Sequence, residues 1–227
     1  MTGLVLRDLA SLAEMKASEA FQRAVWGADD PPDNSDMLLA IQHEGGLVAG
    51  AFDGGRMVAF LFAFPTSESA AQHSHRLGVH PDWQGQGLGL RMKLYQKEWC
   101  LARGISRVRW TYDPARRANA VLNIHRLGAT ARTYYRDYYG VMEGINAGLP
   151  SDRLLAEWDL TRPADAEATP AGTVPIPADF AKLALDDPGA ALAERLRIRT
   201  ALEGAFADGL QIAGFDRSQN AYLLARA

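Results

Sequence analysis

The stretch that most restricts this chain is LGVHPDWQGQGLGL, residues 77–90, where glycines at 85, 87 and 89 separate an apolar run from the start of a helical pattern. Strand, tight glycine-bearing loop and helix start together form an anion site, because unpaired backbone N–H groups and the helix dipole point at one spot. Glycine lets a phosphate approach with no Cβ in the way. Two phosphate loops can be set against QGQGLG. The dinucleotide fingerprint requires G-x-G-x-x-G, and the spacing here is G-x-G-x-G. The nucleoside-triphosphate loop ends in Gly-Lys-Ser/Thr, and this one ends in Gly-Leu-Arg. Neither fits.

The neighbouring sequence supplies the frame. LVLRDL reads as a short strand, residues 12–26 as an amphipathic helix, GADDPPDNSD as a break, and the run to His43 as a second helix. GLVAGAFDGGRMVAFLFAFP is a hairpin turning at Asp53-Gly54-Gly55, and HRLGV is a further strand. Residues 88–103 have helical apolar spacing at Leu90, Leu94 and Leu101, with Gly104 as the stop. SRVRWTY alternates as a strand, with Val108, Trp110 and Tyr112 on one face. Residues 116–127 are helical, and LLAEWDL closes this part as a strand.

After Leu160 the chain turns rich in Pro, Ala and acidic residues, as a linker or surface wrap, before a helix over residues 190–206 and two short strands, LQIAGF and AYLLA. The division expected is residues 1–162 as the main domain and 163–227 as a C-terminal extension packed on it. One cysteine, Cys100, rules out an intramolecular disulfide and points to packing in a reducing, cytoplasmic setting. No His/Cys cluster has zinc spacing, so no metal is expected. The N-terminus lacks the pattern of a signal peptide, and no apolar run is long enough to span a membrane. The net charge of −3 hides an asymmetry: residues 76–140 carry twelve Lys and Arg against four Asp and Glu. A basic middle in an acidic chain suits a local polyanionic ligand and disfavours nucleic acid.

Val79, Pro81 and then Gln84-x-x-Gly87-x-Gly89 on a strand–loop–helix unit resemble the acyl-CoA pyrophosphate loop of the GCN5-related N-acetyltransferase (GNAT) superfamily, whose Q/R-x-x-G-x-G/A consensus is met at every fixed position. The second helix ends in HRLGA, similar to the family's Arg/Lys-Leu-Gly-Phe ending, and the order of elements over residues 1–160 resembles the family's. HSHRLGV, WTYDP, NAVLNIHRLGA, YYG and NAGLPSDRL, with the extension, are most similar to a group of predicted acetyltransferases without assigned substrates. The resemblance implies an α/β (α+β) GNAT fold: a mixed, mostly antiparallel sheet split at the acyl-CoA site and flanked by helices.

It further implies that acetyl-CoA or another acyl-CoA is the co-substrate. It would lie between the strand ending at Val79 and the strand ending at Tyr112, with the N–H groups of Gln84, Gly85, Gln86, Gly87, Leu88 and Gly89 on its pyrophosphate. Backbone near Val79 and the side chain of Asn119 would meet its pantetheine arm, and Arg91 its adenosine phosphates. The reaction implied is direct attack of a small-molecule amine on the thioester. Such an amine is mostly protonated at neutral pH, with a pKa of about 10, so a base is required. His73 and His75 stand two apart on a strand and so share a face. H-x-H-x-L-x-V-H is similar to arylalkylamine N-acetyltransferases, where two such histidines relay the proton. His75 is expected as base and His73 as relay, with a structural role for both left open. His80 belongs to the turn.

One position departs from the family: Ile124 stands where a tyrosine often protonates the leaving thiolate. Asn123, Tyr134, Tyr135, Tyr138 and Tyr139 are nearby alternatives, and Asp113 is either an amine holder or ordinary turn chemistry. A second reading, an acyl-CoA-binding sensor without catalysis, follows from that missing tyrosine. Acceptor specificity is expected in the NAGLPSDRL loop and the extension, and a homodimer is left open.

Overall fold

The computed structural model describes residues 3–140, 148–163 and 169–227, in two compact units, Met1–Arg109 and Trp110–Ala227. In both, a mainly antiparallel sheet is flanked by helices, the α/β architecture expected.

In the first unit, β1 (Leu4–Asp8) pairs with β2 (Leu47–Asp53), β2 with β3 (Arg56–Pro65), and β3 with β4 (Ala71–Val79), all antiparallel. The start of β5 (Arg107–Tyr112) runs parallel to β4 over three pairs, Ala71↔Arg107, Gln72↔Val108 and His73↔Arg109. That parallel step requires a crossover, which α3 (Leu88–Leu101) supplies. The other helices are α1 (Leu12–Trp26) and α2 (Ser35–His43). The Ser11 hydroxyl caps α1 by accepting from the Glu14 N–H, while the Glu14 carboxylate turns back onto the Ala10 N–H and Arg7. A cap of this kind contributes about 1 kcal/mol.

β2 and β3 are buried on both faces, which is why they read as near-continuous apolar runs. One face (Leu47, Ala49, Ala51, Leu61, Ala63) packs with Leu88 and Met92 of α3. The other (Val48, Phe52, Phe60, Phe62) packs with Met15 and Phe21 of α1 and Leu38 of α2. Gly78 of β4 is required by this second layer, since a Cβ there would sit 2.9 Å from the Trp26 ring.

Within α3 the buried stripe is not the expected one. Leu94 and Leu101 are exposed, and the inward face carries Leu88, Met92, Lys93, Gln96 and Cys100. β4 also begins earlier than HRLGV, because Gln72 and Ser74 find polar partners on that α3 face.

In the second unit, α4 (Arg117–Ala120) runs directly into a π-helical stretch, Val121–Arg126. β6 (Thr130–Tyr135) pairs antiparallel with both β7 (Arg153–Asp159) and β9 (Leu210–Asp216). β9 pairs with β10 (Ala221–Arg226), and β10 with β8 (Gly172–Pro175). The helices α5 (Phe180–Asp186) and α6 (Pro188–Ala207) complete it, α6 burying Ala191, Arg195, Ile198 and Leu202. β6, β8 and α5 are elements the sequence pattern did not reveal. Parts of the linker and of the NAGLPSDRL loop lie outside the described residues.

Candidate functional site

β4 is not a regular strand. Phe62 is paired with Arg76 and Ala63 with Ser74, so His75 is an extra residue opposite the β3 ladder, a β-bulge. Before it, Gln72 and Ser74 face α3; after it, Leu77 and Val79 do. The bulge thus switches the parity of the strand and leaves His73, His75 and Arg76 together on the α1 side. Simple alternation correctly put the two histidines on one face, but it would have added Leu77 and Val79 to them.

On that face the His73 ring stacks on Phe64, with centroids 4.8 Å apart, and the His75 ring meets Phe62 edge-on at 5.5 Å. The two imidazole centroids are 6.2 Å apart. Burial lowers the pKa of both rings. His73 falls to about 4, helped by the positive charges of His75, Arg109 and Lys93. For His75 the nearby Asp33 carboxylate opposes the shift, its Oδ1 lying 3.9 Å from Nε2. Burial thus favours the uncharged form of both imidazoles.

Asp33 comes from the turn-rich break between α1 and α2. Arg76 draws that loop onto β4, its Nε 3.2 Å from Asp33 Oδ2 and its terminal nitrogen 2.9 Å from Asp30 Oδ1, with the guanidinium over the Trp26 ring. Sequence reasoning passed over these carboxylates. The available signal was the acidic DDPPD preceding a strand that carries HSHR.

The glycine loop follows β4 directly. Gly85 and Gly87 adopt left-handed φ values of 74° and 78°, and Gly87 is the residue from which α3 starts. A Cβ at either position would meet nothing within 4 Å, so both glycines border open space. Among the described residues, the N–H groups of Gly85, Gln86, Gly87, Leu88 and Gly89 have no protein acceptor. Five such donors at a helix start fit a pyrophosphate. Gln84 differs: its N–H donates to Pro81 O, and its side-chain amide to Val79 O at 3.1 Å, tying the loop to the end of β4. Arg91 lies one turn into α3, and its N–H donates to Gly87 O.

Behind β4, on the α3 side, runs a buried polar chain. Lys93 Nζ donates to Ser74 Oγ at 2.8 Å and to Gln96 Oε1 at 3.1 Å; the Gln96 amide donates to Gln72 Oε1, as does Cys100 Sγ. Lys93 braces Ser74, the residue between the two histidines. Burial pushes its pKa down to about 7 and that of Cys100 up to about 12, so Cys100 packs as an inert thiol. The unfolded chain holds its lysine proton to about pH 10.4, so between about 7 and 10.4 it binds more protons than the native state, and stability rises with pH across that window. Lys93→Met removes this penalty, of order 4 kcal/mol, and forfeits about 1–3 kcal/mol at the two acceptors it leaves. Thermal denaturation is expected to show Tm at pH 7 raised by a few degrees and the rise between pH 7 and 10 flattened; a lowered Tm with the slope intact would contradict it.

Other sequence candidates are engaged elsewhere. His80 sits in the turn, its Nε2 2.9 Å from Arg56 and its Nδ1 accepting from the Asp82 N–H. Asp113 does not offer a free carboxylate: Arg195 holds it, and its Oδ1 accepts from the Ala115 N–H, as turn chemistry demands. Ile124 is buried, and the Tyr134 hydroxyl donates to Asp152 at 2.6 Å, which with burial holds that phenol far above its ordinary pKa. Tyr138 and Tyr139 are exposed. Asn119 is half-buried on α4.

Among the described residues, no helix is long and apolar enough to cross a membrane. Among curated proteins, none matches the chain by sequence. Solved structures do match. The ribosomal-protein-S18-alanine N-acetyltransferase of Escherichia coli is 18% identical, with a TM-score of 0.58 covering 73% of this chain and 99% of its own. The yncA product of Salmonella typhimurium, solved with its cofactor acetyl-CoA, is 20% identical, with a TM-score of 0.57 covering 74% and 100%. The phosphinothricin acetyltransferase of Sinorhizobium meliloti, in complex with acetyl-CoA, is 17% identical, with a TM-score of 0.56 covering 73% and 95%. At these identities the likeness establishes the fold. Residues 11–128 match the family model described as Acetyltransferase (GNAT) family, more than half of the sequence, and the chain therefore belongs to the GNAT acetyltransferase family.

Proposed function

We propose that the chain is an N-acyltransferase that moves an acetyl or short acyl group from acyl-CoA to a small-molecule amine. The observation that carries this reading is the pairing of an open five-donor loop at the α3 start with two imidazoles side by side on the adjoining strand. Acyl-CoA supplies an activated thioester. The loop N–H groups hold its pyrophosphate, and Gln84 keeps that loop fixed to β4. His75 takes the proton that the amine gives up as its nitrogen forms the new C–N bond and the C–S bond breaks. Asp33, facing Nε2, stabilises the imidazolium that results. His73, neutral and stacked on Phe64, relays the proton onward.

The thiolate leaves without a tyrosine acid, since Ile124 has no proton to give and Tyr134 is committed to Asp152. A thiol of pKa about 8.5 is a good enough leaving group for that, and solvent reprotonates it. The two imidazoles beside the loop, whose uncharged form burial favours, support turnover over a sensor, which needs no base.

The test is thermal denaturation with acetyl-CoA, CoA and longer acyl-CoAs, followed by thiol release with a panel of amines. A ligand that binds only the native state at a hundredfold excess over Kd stabilises by about 2.7 kcal/mol, several degrees in a chain of this size. A shift selective for short acyl-CoA with amine-dependent thiol release is expected. No shift at millimolar ligand would overturn the reading.

A further inference from the structure

Lys93, Gln96 and Cys100 share one face of α3, and Gln72 and Ser74 share one face of β4. They meet in a single buried chain. Lys93 Nζ donates to Ser74 Oγ at 2.8 Å, Ser74 Oγ to Gln96 Oε1 at 3.3 Å, and the Gln96 amide to Gln72 Oε1 at 2.8 Å. For stability alone this layer is a poor choice. It takes an ammonium group out of water, and among the described residues the buried Gln72 Nε2 has no hydrogen-bond partner. Apolar side chains of similar volume would fill the same space at less cost.

What the layer supplies is register. The extra residue of β4 is His75, with Ser74 turned to α3 before it and Arg76 turned to the α1 side after it. Moving the extra residue two places earlier, to His73, leaves the other positions as they are and exchanges Ser74 and His75 across the strand. The hydroxyl would then face the side of Phe62 and Phe64, and the imidazole would enter the α3 core beside Lys93. Moving it two places later, to Leu77, would turn Arg76 into that core, away from Asp30 at 2.9 Å and Asp33 at 3.2 Å. The ion pairs of Arg76 therefore exclude the later bulge. The earlier one is excluded by α3, because it would strip Lys93 and Gln96 of the Ser74 hydroxyl.

We infer that Lys93 and Ser74 are positioning residues which, with Gln96, hold the bulge at His75 and so keep that imidazole on the α1 side, against Phe62 and facing Asp33. This rests on the reading of His75 as base. Neither residue acts on the substrate; both act through the path of β4.

The test is the double variant K93M/S74V, which removes both ends of the central hydrogen bond and leaves Gln96 Oε1 as the acceptor without its donors. Methionine is one atom shorter than lysine, which makes room for the added methyl. Ser74→Thr, which keeps the hydroxyl and adds a similar bulk, serves as the control. In the wild type, nuclear Overhauser spectra are expected to show one set of His75 ring resonances in contact with Phe62, whose centroid lies 5.5 Å away. K93M/S74V is expected to show a second set without that contact, while its Tm at pH 7 stays at or above the wild-type value. Its kcat is expected to fall about threefold or more, in proportion to the population that loses the contact, with KM for acetyl-CoA within about twofold. Ser74→Thr is expected to keep one set and the wild-type kcat. Should the double variant fail to fold, Lys93→Met gives the same readout with a smaller second population.

A single set of His75 resonances with the Phe62 contact intact in K93M/S74V overturns the inference, and so does a second set of equal size in Ser74→Thr, which would make bulk the cause. A lost contact with wild-type kcat overturns the link to catalysis. Should the wild-type chain transfer no acetyl group, the role of His75 falls with the base reading, and the resonances still decide whether the polar layer sets the bulge.

Discussion

Gly87→Val is expected to abolish acetyl-CoA binding, with a loss of more than a hundredfold measured by calorimetry. Two effects act at this residue. Its φ of 78° belongs to the left-handed region, which a β-branched residue adopts only at a cost of about 1–3 kcal/mol. Its Cβ direction is open space, with no protein atom within 4 Å, so a valine side chain there projects into the free surroundings of the loop, where a bound phosphate would compete with it. The first effect can be separated from the second. Gly104, just beyond α3, has a φ of 74° and equally open surroundings, so Gly104→Val carries the same backbone strain away from the loop. Gly104→Val is expected to lose stability and keep full affinity, whereas Gly87→Val loses both. Wild-type affinity in Gly87→Val would remove the loop as the pyrophosphate site.

The contrast between those two glycines shows what was legible in the sequence. Spacing alone distinguished Gly87 from Gly104, one at a helix start after a strand and the other at a helix end. Equally plain were α1, the β2–β3 hairpin and the alternation of β5, because each buries apolar side chains at the period of its element. The first half of β4 was hidden by the reverse circumstance. Gln72 and Ser74 look like loop residues until Gln96 and Lys93 are seen to satisfy them from α3, and the same exchange makes Leu94 and Leu101 misleading as core positions. A polar layer inside a core follows no hydrophobic period. The bulge at His75 is invisible for a related reason: it is set by pairing with β3, not by any residue type at 75. Asp33 could be identified as a charged turn residue, but its approach to His75 depends on Arg76 and Trp26, more than forty positions apart in sequence. In the second unit, β8 and α5 sit within a Pro- and Ala-rich stretch whose composition resembles a linker.

The histidine pair carries the second large effect, and the structure distinguishes its members where sequence spacing treats them alike. His73 is the more completely desolvated ring, its pKa brought down to about 4, and a base that weak accepts an amine proton poorly. The His75 side chain is 35% exposed and has Asp33 3.9 Å from Nε2, so less of its basicity is lost. His75→Ala is accordingly expected to lower kcat by roughly 10²–10⁴-fold, the usual contribution of a positioned base, with KM for acetyl-CoA within twofold. His73→Ala should cost less at saturating amine. The pH profile supplies an independent check. Because burial lowers both pKa values, the acid limb of kcat/KM for the amine is expected below the ordinary histidine value of about 6.5. Asp33 stabilises the imidazolium of His75, so Asp33→Asn should move that limb to still lower pH, while leaving acetyl-CoA affinity intact. A wild-type rate in His75→Ala throughout pH 5–8 would exclude His75 as the base, and a limb unmoved by Asp33→Asn would show that the titrating group lies elsewhere.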